Sequence, residues 1–382
     1  MERLNSVKTS FFGKGATQLL TEELQKRGYH RVLIVTDNFL FESKVAERVG
    51  DYVLKANVEY AIYYEVKPNP TTDIVYECLE AARALNVDML IAVGGGSAID
   101  TCKAVSILMA NGGKVEDYEG VNKSSKRGLP IAAINTTAGT GSEVTAFYIV
   151  TDPVRHSKMC MVDPNCMVDI AINDTDFMMS MPPKLTAATG MDAMTHSIEA
   201  ALTPQSTPLT DKDAYWAITT IKDYLPRAVA NGNDLEAREM MAYAEYVAGM
   251  AFSNAGLGMV HAMAHSLGGF YNLPHGVCNA ILLPYVMEFN GRDSRSYSRF
   301  EKIAVALGLG QLKAEDAVRS VVAYIRGLSE QVGIPKKLSE LGKVDPKDFD
   351  ALAKLALADA CMAANMVSPT QQMVVDTYRA AF

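Results

Sequence analysis

The sequence predicts an α/β protein whose N-terminal half is a parallel sheet covered by helices and whose C-terminal half is helical throughout. Short apolar, β-branched runs at 31–36, 58–64, 88–93 and 130–134 alternate with helical stretches at 16–27, 71–85 and 98–109. Continuous apolarity of this kind marks strands buried on both faces. From Pro182 onward helical periodicity takes over, at 183–202, 210–225, 235–252, 258–269, 277–289, 314–332 and 349–364. The change near residue 180 divides the chain into domains of 1–181 and 182–382.

Each element has a local reason. The run ending in Thr36 stops at Asp37, and that of 88–93 stops at Gly94-Gly95-Gly96, where a tight turn is affordable. Pro183 suits a first helical turn, and Gly268-Gly269 suits a helix end. No internal repeat, low-complexity tract or long linker interrupts the pattern.

Composition narrows the function. The 382 residues are 49% apolar and 21% charged, enough chain to bury large cores without a disulfide or metal. The net charge of −8, with no basic cluster, excludes a nucleic-acid partner and an anionic membrane surface. No apolar stretch is long enough to span a bilayer, and residues 1–10 lack the apolar core of a secretory signal. The cysteines at 78, 102, 160, 166, 278 and 361 are scattered without a Cys-x-x-Cys pair, which predicts free thiols and a cytoplasmic location.

Two turns carry cofactor chemistry. The first βα turn has no Gly-x-Gly-x-x-Gly. Gly94-Gly95-Gly96-Ser97 instead joins a strand to a helix, and amides at a helix start carry partial positive charge that suits a pyrophosphate. Thr136-Thr137-Ala-Gly-Thr-Gly-Ser-Glu143 follows the next strand with hydroxyl and amide donors at the same sheet edge, where ligands of such sheets bind. Asp37 admits two readings. It can accept from ribose hydroxyls and repel a 2′-phosphate, favouring NAD over NADP, or it can cap the next helix.

The histidines supply a metal reading. Four of six, at 196, 261, 265 and 275, fall in one window. Asp192 and His196 are spaced i, i+4 on one helix, as are His261 and His265 on another, so each pair shares a face. His275 stands in a Pro-His-Gly loop before the next helix. Imidazole and carboxylate without thiolate suit Fe(II), Zn(II), Ni(II) or Mn(II). Spacing leaves open which of His261, His265 and His275 is spare.

These segments resemble the iron-containing (group III) alcohol dehydrogenase family. The matching stretches are Gly94–Ser97 with Asp100, Thr136–Glu143, Ala187–His196, Gly256–Gly269 and Leu273–Gly276, in the family's order and across nearly the whole chain. Arg27-Gly-Tyr, Val35-Thr-Asp37 and Val162-Asp-Pro164 look most like its lactaldehyde-reducing, 1,2-propanediol branch. Branches acting on 1,3-propanediol, ethanol or methanol stand close, as do glycerol-dehydrogenase-like and dehydroquinate-synthase-like enzymes of the same scaffold.

The resemblance implies a metal held by Asp192, His196, His261 and His275, with Fe2+ first and Zn2+ as the alternative. It implies His265 as the catalytic spare beside nicotinamide and substrate. NAD contacts fall on Asp37, Asn69, Gly95, Gly96, Ser97, Asp100, Thr136, Thr137 and Lys158. The substrate pocket falls on Phe252 and Cys361, with Phe147 replacing a small polar residue and narrowing it. The substrate is then a small alcohol or aldehyde, and the assembly a homodimer or a set of dimers. Two departures stand out. Ala98-Ile99 follows the glycine turn where relatives differ, and Asn365-Met-Val367 replaces Asn-Pro-Arg.

Overall fold

The computed structural model describes residues 4–382. Its nine strands are β1 (Thr9–Phe12), β2 (Arg31–Asp37), β3 (Glu59–Val66), β4 (Met89–Gly94), β5 (Gly120–Val121), β6 (Ile131–Asn135), β7 (Phe147–Asp152), β8 (Ser157–Val162) and β9 (Ile170–Asn173). Helices of the first half are α1 (Leu19–Arg27), α2 (Asn38–Glu42), α3 (Val45–Lys55), α4 (Thr72–Leu85) and α5 (Gly96–Asn111). Those of the second are α6 (Pro183–Leu202), α7 (Pro208–Ala230), α8 (Leu235–Ala255), α9 (Met259–Tyr271), α10 (His275–Asn290), α11 (Tyr297–Ala306), α12 (Ala314–Gln331), α13 (Phe349–Ala358) and α14 (Gln371–Ala381).

The main sheet runs β1-β9-β6-β4-β2-β3, and every pairing in it is parallel. Alternate residues of each strand feed two cores. Val32, Ile34, Met89, Ile91, Ala132 and Ile134 meet Leu20, Leu24, Val49 and Val53 of α1 and α3. Leu33, Val35, Leu90, Ala92, Ile131 and Ala133 meet Val75, Leu79, Ile99 and Val105 of α4 and α5. Two covered faces explain the unbroken apolar runs.

The sequence reading contains no β1, β5, β7, β8 or β9, and no helix over α2, α3, α11 or α14. β7 and β8 form an antiparallel hairpin, and β5 adds to β8 in parallel. β7 alternates half-buried with buried residues and β8 opens on Ser157-Lys158; their apolar runs, Phe147–Val150 and Met159–Val162, are only four residues long and have no helix between them to mark a βαβ unit. Two boundaries are corrected. His275 is the first residue of α10 and not part of a loop. The helix expected over 349–364 breaks at Asp359, whose backbone is extended at φ −69°, ψ 139°, and resumes as a 3-10 turn over Ala360–Ala364.

In the helical half, α6 lies almost wholly buried, with Met191, Ala193, Met194 and Ile198 in a core shared with α7, α8, α9 and α10. A helix covered on every side belongs at the centre of a bundle, and its polar residues must then find partners there. No helix among the described residues is long and apolar enough to cross a membrane.

Candidate active site

Three central helices bring the polar residues together. α6 presents Asp192, His196 and Glu199, spaced four and then three residues apart on one face. α9 presents His261 and His265, and α10 presents His275 and Asn279. Asp192, His261 and His275 each offer a ligand atom, and these atoms lie within 4.8 Å of one another. Asp192 Oδ1 stands 3.8 Å from His261 Nε2 and 3.7 Å from His275 Nε2. Donors about 2.1 Å from a tetrahedral ion stand roughly 3.4 Å apart, so this spacing fits a divalent cation closely.

Hydrogen-bond accounting gives the same answer. The Asn279 amide nitrogen reaches Asp192 Oδ1 at 2.6 Å, His261 Nε2 at 3.0 Å and His275 Nε2 at 3.1 Å. An amide has two hydrogens to give, which Asp192 Oδ1 and His261 Nε2 already take, so His275 Nε2 exceeds the supply. Asn279 Oδ1 and His275 Nδ1 are buried without a partner among the described residues. A surplus of inward lone pairs is the condition a cation relieves.

His196 stands beside this trio and not within it. Its ring stacks on His261 at 4.5 Å and on Phe252 at 4.2 Å, and it lines the same cavity. Two buried carboxylates set the other rings. Glu199 Oε2 meets His261 Nδ1 at 2.5 Å, while its Oε1 accepts from the Val260 N–H at 2.7 Å at the start of α9. Asp359 Oδ2 meets His265 Nδ1 at 2.8 Å, and Asp359 Oδ1 accepts from the Cys361 N–H. A carboxylate on Nδ1 holds the proton there and leaves Nε2 facing the site.

Burial dominates the electrostatics. It pushes Asp192 up to about 7 and Glu199 up to about 7, against hydrogen bonds from Asn279 and the α9 amides respectively. It drives His196, His261 and His275 well below the usual imidazole range, which keeps them neutral and able to ligate.

The sheet side supplies a second set of residues. Asn69, Gly96, Ser97, Asp100, Phe147, Lys158 and Phe252 line one cavity of about 140 Å³ with Asp192 and the four histidines. Asp37, Gly95, Thr136, Thr137 and Cys361 do not line it. Asp37, Gly94 and Asn135 end the adjacent strands β2, β4 and β6, so Asp37 shares the sheet edge of both turns. One Asp37 oxygen caps α2 by accepting from the Leu40 N–H at 2.9 Å.

The glycines owe their place partly to packing. A Cβ on Gly95 would stand 2.8 Å from Thr137, and one on Gly96 would stand 3.0 Å from Thr140. The two turns therefore press against each other. The expected amide donors are also partly committed. Thr136 N–H donates to the Gly94 carbonyl and Thr137 N–H to Asn135 Oδ1, leaving hydroxyls there rather than amides. Asp100 bridges Ser142 Oγ at 2.6 Å and the Ile149 N–H at 3.0 Å, tying α5 to β7. Asn69 donates to Asn272 Oδ1 at 2.7 Å, joining the β3–α4 loop to the end of α9.

Phe147 packs edge-on against Phe252 at 5.4 Å and gives the cavity an apolar wall with Leu257. Cys361, expected at that wall, instead sits behind it with Cys160 and Asp359. Glu199, Asn279 and Asp359 were missed from sequence. Glu199 and Asn279 carry a usable signal, since they fall three and four residues after His196 and His275. Asp359 carries none, because its place depends on the helix break.

Comparison with known proteins agrees with this geometry. Residues 8–175 match the family described as iron-containing alcohol dehydrogenase, and residues 186–382 match the C-terminal part of the Fe-containing alcohol dehydrogenase family. The chain is 45% identical to alcohol dehydrogenase 4 of Schizosaccharomyces pombe, over 97% of this chain and 87% of that one. It is 43% identical to lactaldehyde reductase of Escherichia coli over 98% of each. A crystal structure of 1,3-propanediol oxidoreductase superposes with a TM-score of 0.94 at 39% identity, covering 100% of both chains. The chain belongs to the iron-containing alcohol dehydrogenase family, whose members use NAD(H) and a divalent metal, typically Fe2+.

Proposed function

We propose that the protein transfers hydride between NAD(H) and a small primary alcohol or diol and its aldehyde, in the manner of a lactaldehyde reductase. One observation carries the reading: the surplus of buried acceptors at Asp192, His261 and His275, opening on a small cavity with an apolar wall. Those three residues would hold the cation, and His196, stacked on His261 and lining the same cavity, would turn in as the fourth ligand. The bound groups supply Lewis-acid polarisation of the carbinol oxygen and a nicotinamide hydride acceptor.

The chain's own residues do the rest. Glu199 holds His261 with its lone pair inward. Phe147, Phe252 and Leu257 pack the carbon skeleton and exclude water, and the narrow wall favours short substrates. His265, with Nδ1 held by Asp359, moves the released proton at Nε2. The first turn of α5 and the β2–β4–β6 edge bind the dinucleotide, with the free oxygen of Asp37 selecting NAD. Residues 1–181 and 182–382 act as two domains flanking the cleft. We place the enzyme in the cytoplasm, which its six free thiols suit, and expect a homodimer or an assembly of dimers.

The test is turnover of the Fe2+-loaded enzyme with 1,2-propanediol, 1,3-propanediol and ethanol, each with NAD and NADP. Highest kcat/KM with 1,2-propanediol and NAD is expected. Asp192→Ala and His261→Ala are expected to empty the site. His265→Ala with full metal should lose about 10²–10⁴ in turnover. Full metal in Asp192→Ala, or no oxidation of any of the three alcohols, would refute the reading.

A further inference from the structure

Behind the cavity wall stands a second group of metal-ligating side chains, separate from the Asp192 set. Cys160 lies on β8 two residues after Lys158, so both side chains leave the same face of the strand. Asp359 occupies the break after α13, and Cys361 the 3-10 turn that follows. One sulfur from each cysteine and one Asp359 oxygen lie within 4.8 Å of one another. Both cysteines are 3% exposed, and the Asp359 side chain is 4% exposed.

We infer that Cys160, Cys361 and Asp359 form an inhibitory binding site for a thiophilic divalent cation such as Zn2+ or Cd2+. Sulfurs at about 2.3 Å from a tetrahedral ion stand roughly 3.8 Å apart, a spacing this cluster reaches with small side-chain movements. Two sulfurs and one oxygen select a soft ion, whereas the nitrogen and oxygen donors of the Asp192 set suit a harder one. Among the described residues, Cys78, Cys102, Cys166 and Cys278 belong to no such group. On binding, two S–H bonds break, two cation–sulfur bonds form and two protons pass to solvent.

The site is wired to the reaction cavity by one hydrogen bond. Asp359 Oδ2 is the partner of His265 Nδ1. A cation drawing on Asp359 competes for that carboxylate and loosens the orientation of His265. Occupancy therefore lowers turnover without touching substrate or the Asp192 set. This inhibitory arm rests on the His265 reading above, and the binding arm does not.

The experiment adds Cd2+ to the iron-loaded full chain and follows the ultraviolet thiolate-to-cadmium absorption together with turnover. Cadmium exchanging into the Asp192 set adds nothing to this band, because that set holds no sulfur, and it is detected by the iron it releases, which is measured alongside. One equivalent is expected to raise the band while turnover falls in parallel with bound iron unchanged, and a small dithiol that competes for cadmium to reverse both. Cys160→Ala and Cys361→Ala should each lose at least half of the band, and Cys78→Ala should keep it. Cadmium NMR of the unsubstituted protein should show a resonance with two sulfur ligands, which keeps the test decisive if a variant fails to fold. No band, an undiminished band when Cys160→Ala and Cys361→Ala are combined, or a resonance with only nitrogen and oxygen ligands overturns the site. A full band with unchanged turnover overturns its coupling to His265.

Discussion

Glu199→Gln tests how the proposed metal centre is held. Glu199 is buried and accepts twice, from His261 at 2.5 Å and from the Val260 amide at 2.7 Å. Glutamine keeps the size but turns one acceptor into a donor. Facing Val260, the new NH₂ would oppose a backbone N–H, at about 1–3 kcal/mol for the unsatisfied pair. Facing His261 Nδ1, it forces the imidazole proton onto Nε2, the atom turned towards Asp192. The backbone amides at the α9 start cannot change their polarity and the imidazole can, so the tautomer is the part that yields. Loss of such an outer carboxylate typically weakens metal binding about 10–100-fold, or roughly 1.4–2.7 kcal/mol. Calorimetric titration of the metal-free protein with Co2+ measures this, and the cobalt d–d spectrum reports the ligand change. Wild-type affinity with a wild-type spectrum would refute the reasoning. So would a lowered Tm of the metal-free protein accompanied by unchanged metal affinity, since Glu199 would then be a helix cap only.

Three further predictions probe separate parts of the structure. A Cβ at Gly276 would stand 2.4 Å from the Ala188 backbone carbonyl, so Gly276→Ala must push α10 from α6 and part His275 from Asp192; a loss of about 1–3 kcal/mol with weaker iron retention is expected, and unchanged Tm and iron content would contradict it. Glu143 and Glu245 are fully buried together, with Glu245 accepting from Asn135 at 2.6 Å and from the Gly141 N–H at 2.8 Å. Burial raises both carboxyls above the ordinary 4.5, and the charge of Glu143 raises Glu245 further. The folded state thus keeps protons that the unfolded chain releases, and stability falls as pH rises above about 4.5. Glu245→Gln should flatten that part of the Tm–pH curve, and an unaltered slope would count against the shared burial. Asp37→Ala removes the α2 cap, at about 1 kcal/mol, and should narrow the NAD-over-NADP ratio of kcat/KM; an unchanged ratio would leave Asp37 as a cap alone.

β2, β3, β4 and β6 were legible because each is a continuous apolar run, whereas the buried parallel strand β9 was not, being only four residues long, and α6 to α10 were legible because their periodicity is long. The β7–β8 hairpin was not, since half of its residues face a partly solvated side and Ser157-Lys158 opens its second strand. Asp37 shows the limit of a single residue: both readings remain chemically available, and the structure shows one oxygen on the cap and leaves the other free.

Spacing by itself determined that Asp192 with His196, and His261 with His265, share helical faces, because the 3.6-residue period is a local property of the backbone. Only the tertiary structure decided which donors converge. It brings Asp192, His261 and His275 together, stacks His196 beside them, and sends His265 to Asp359. The residues that settle this, Glu199 and Asp359, lie 62 and 94 positions from the histidines they hold. No local pattern encodes such pairings, because they depend on how α6, α9 and the break after α13 pack, and that packing is fixed by burial of the whole helical core.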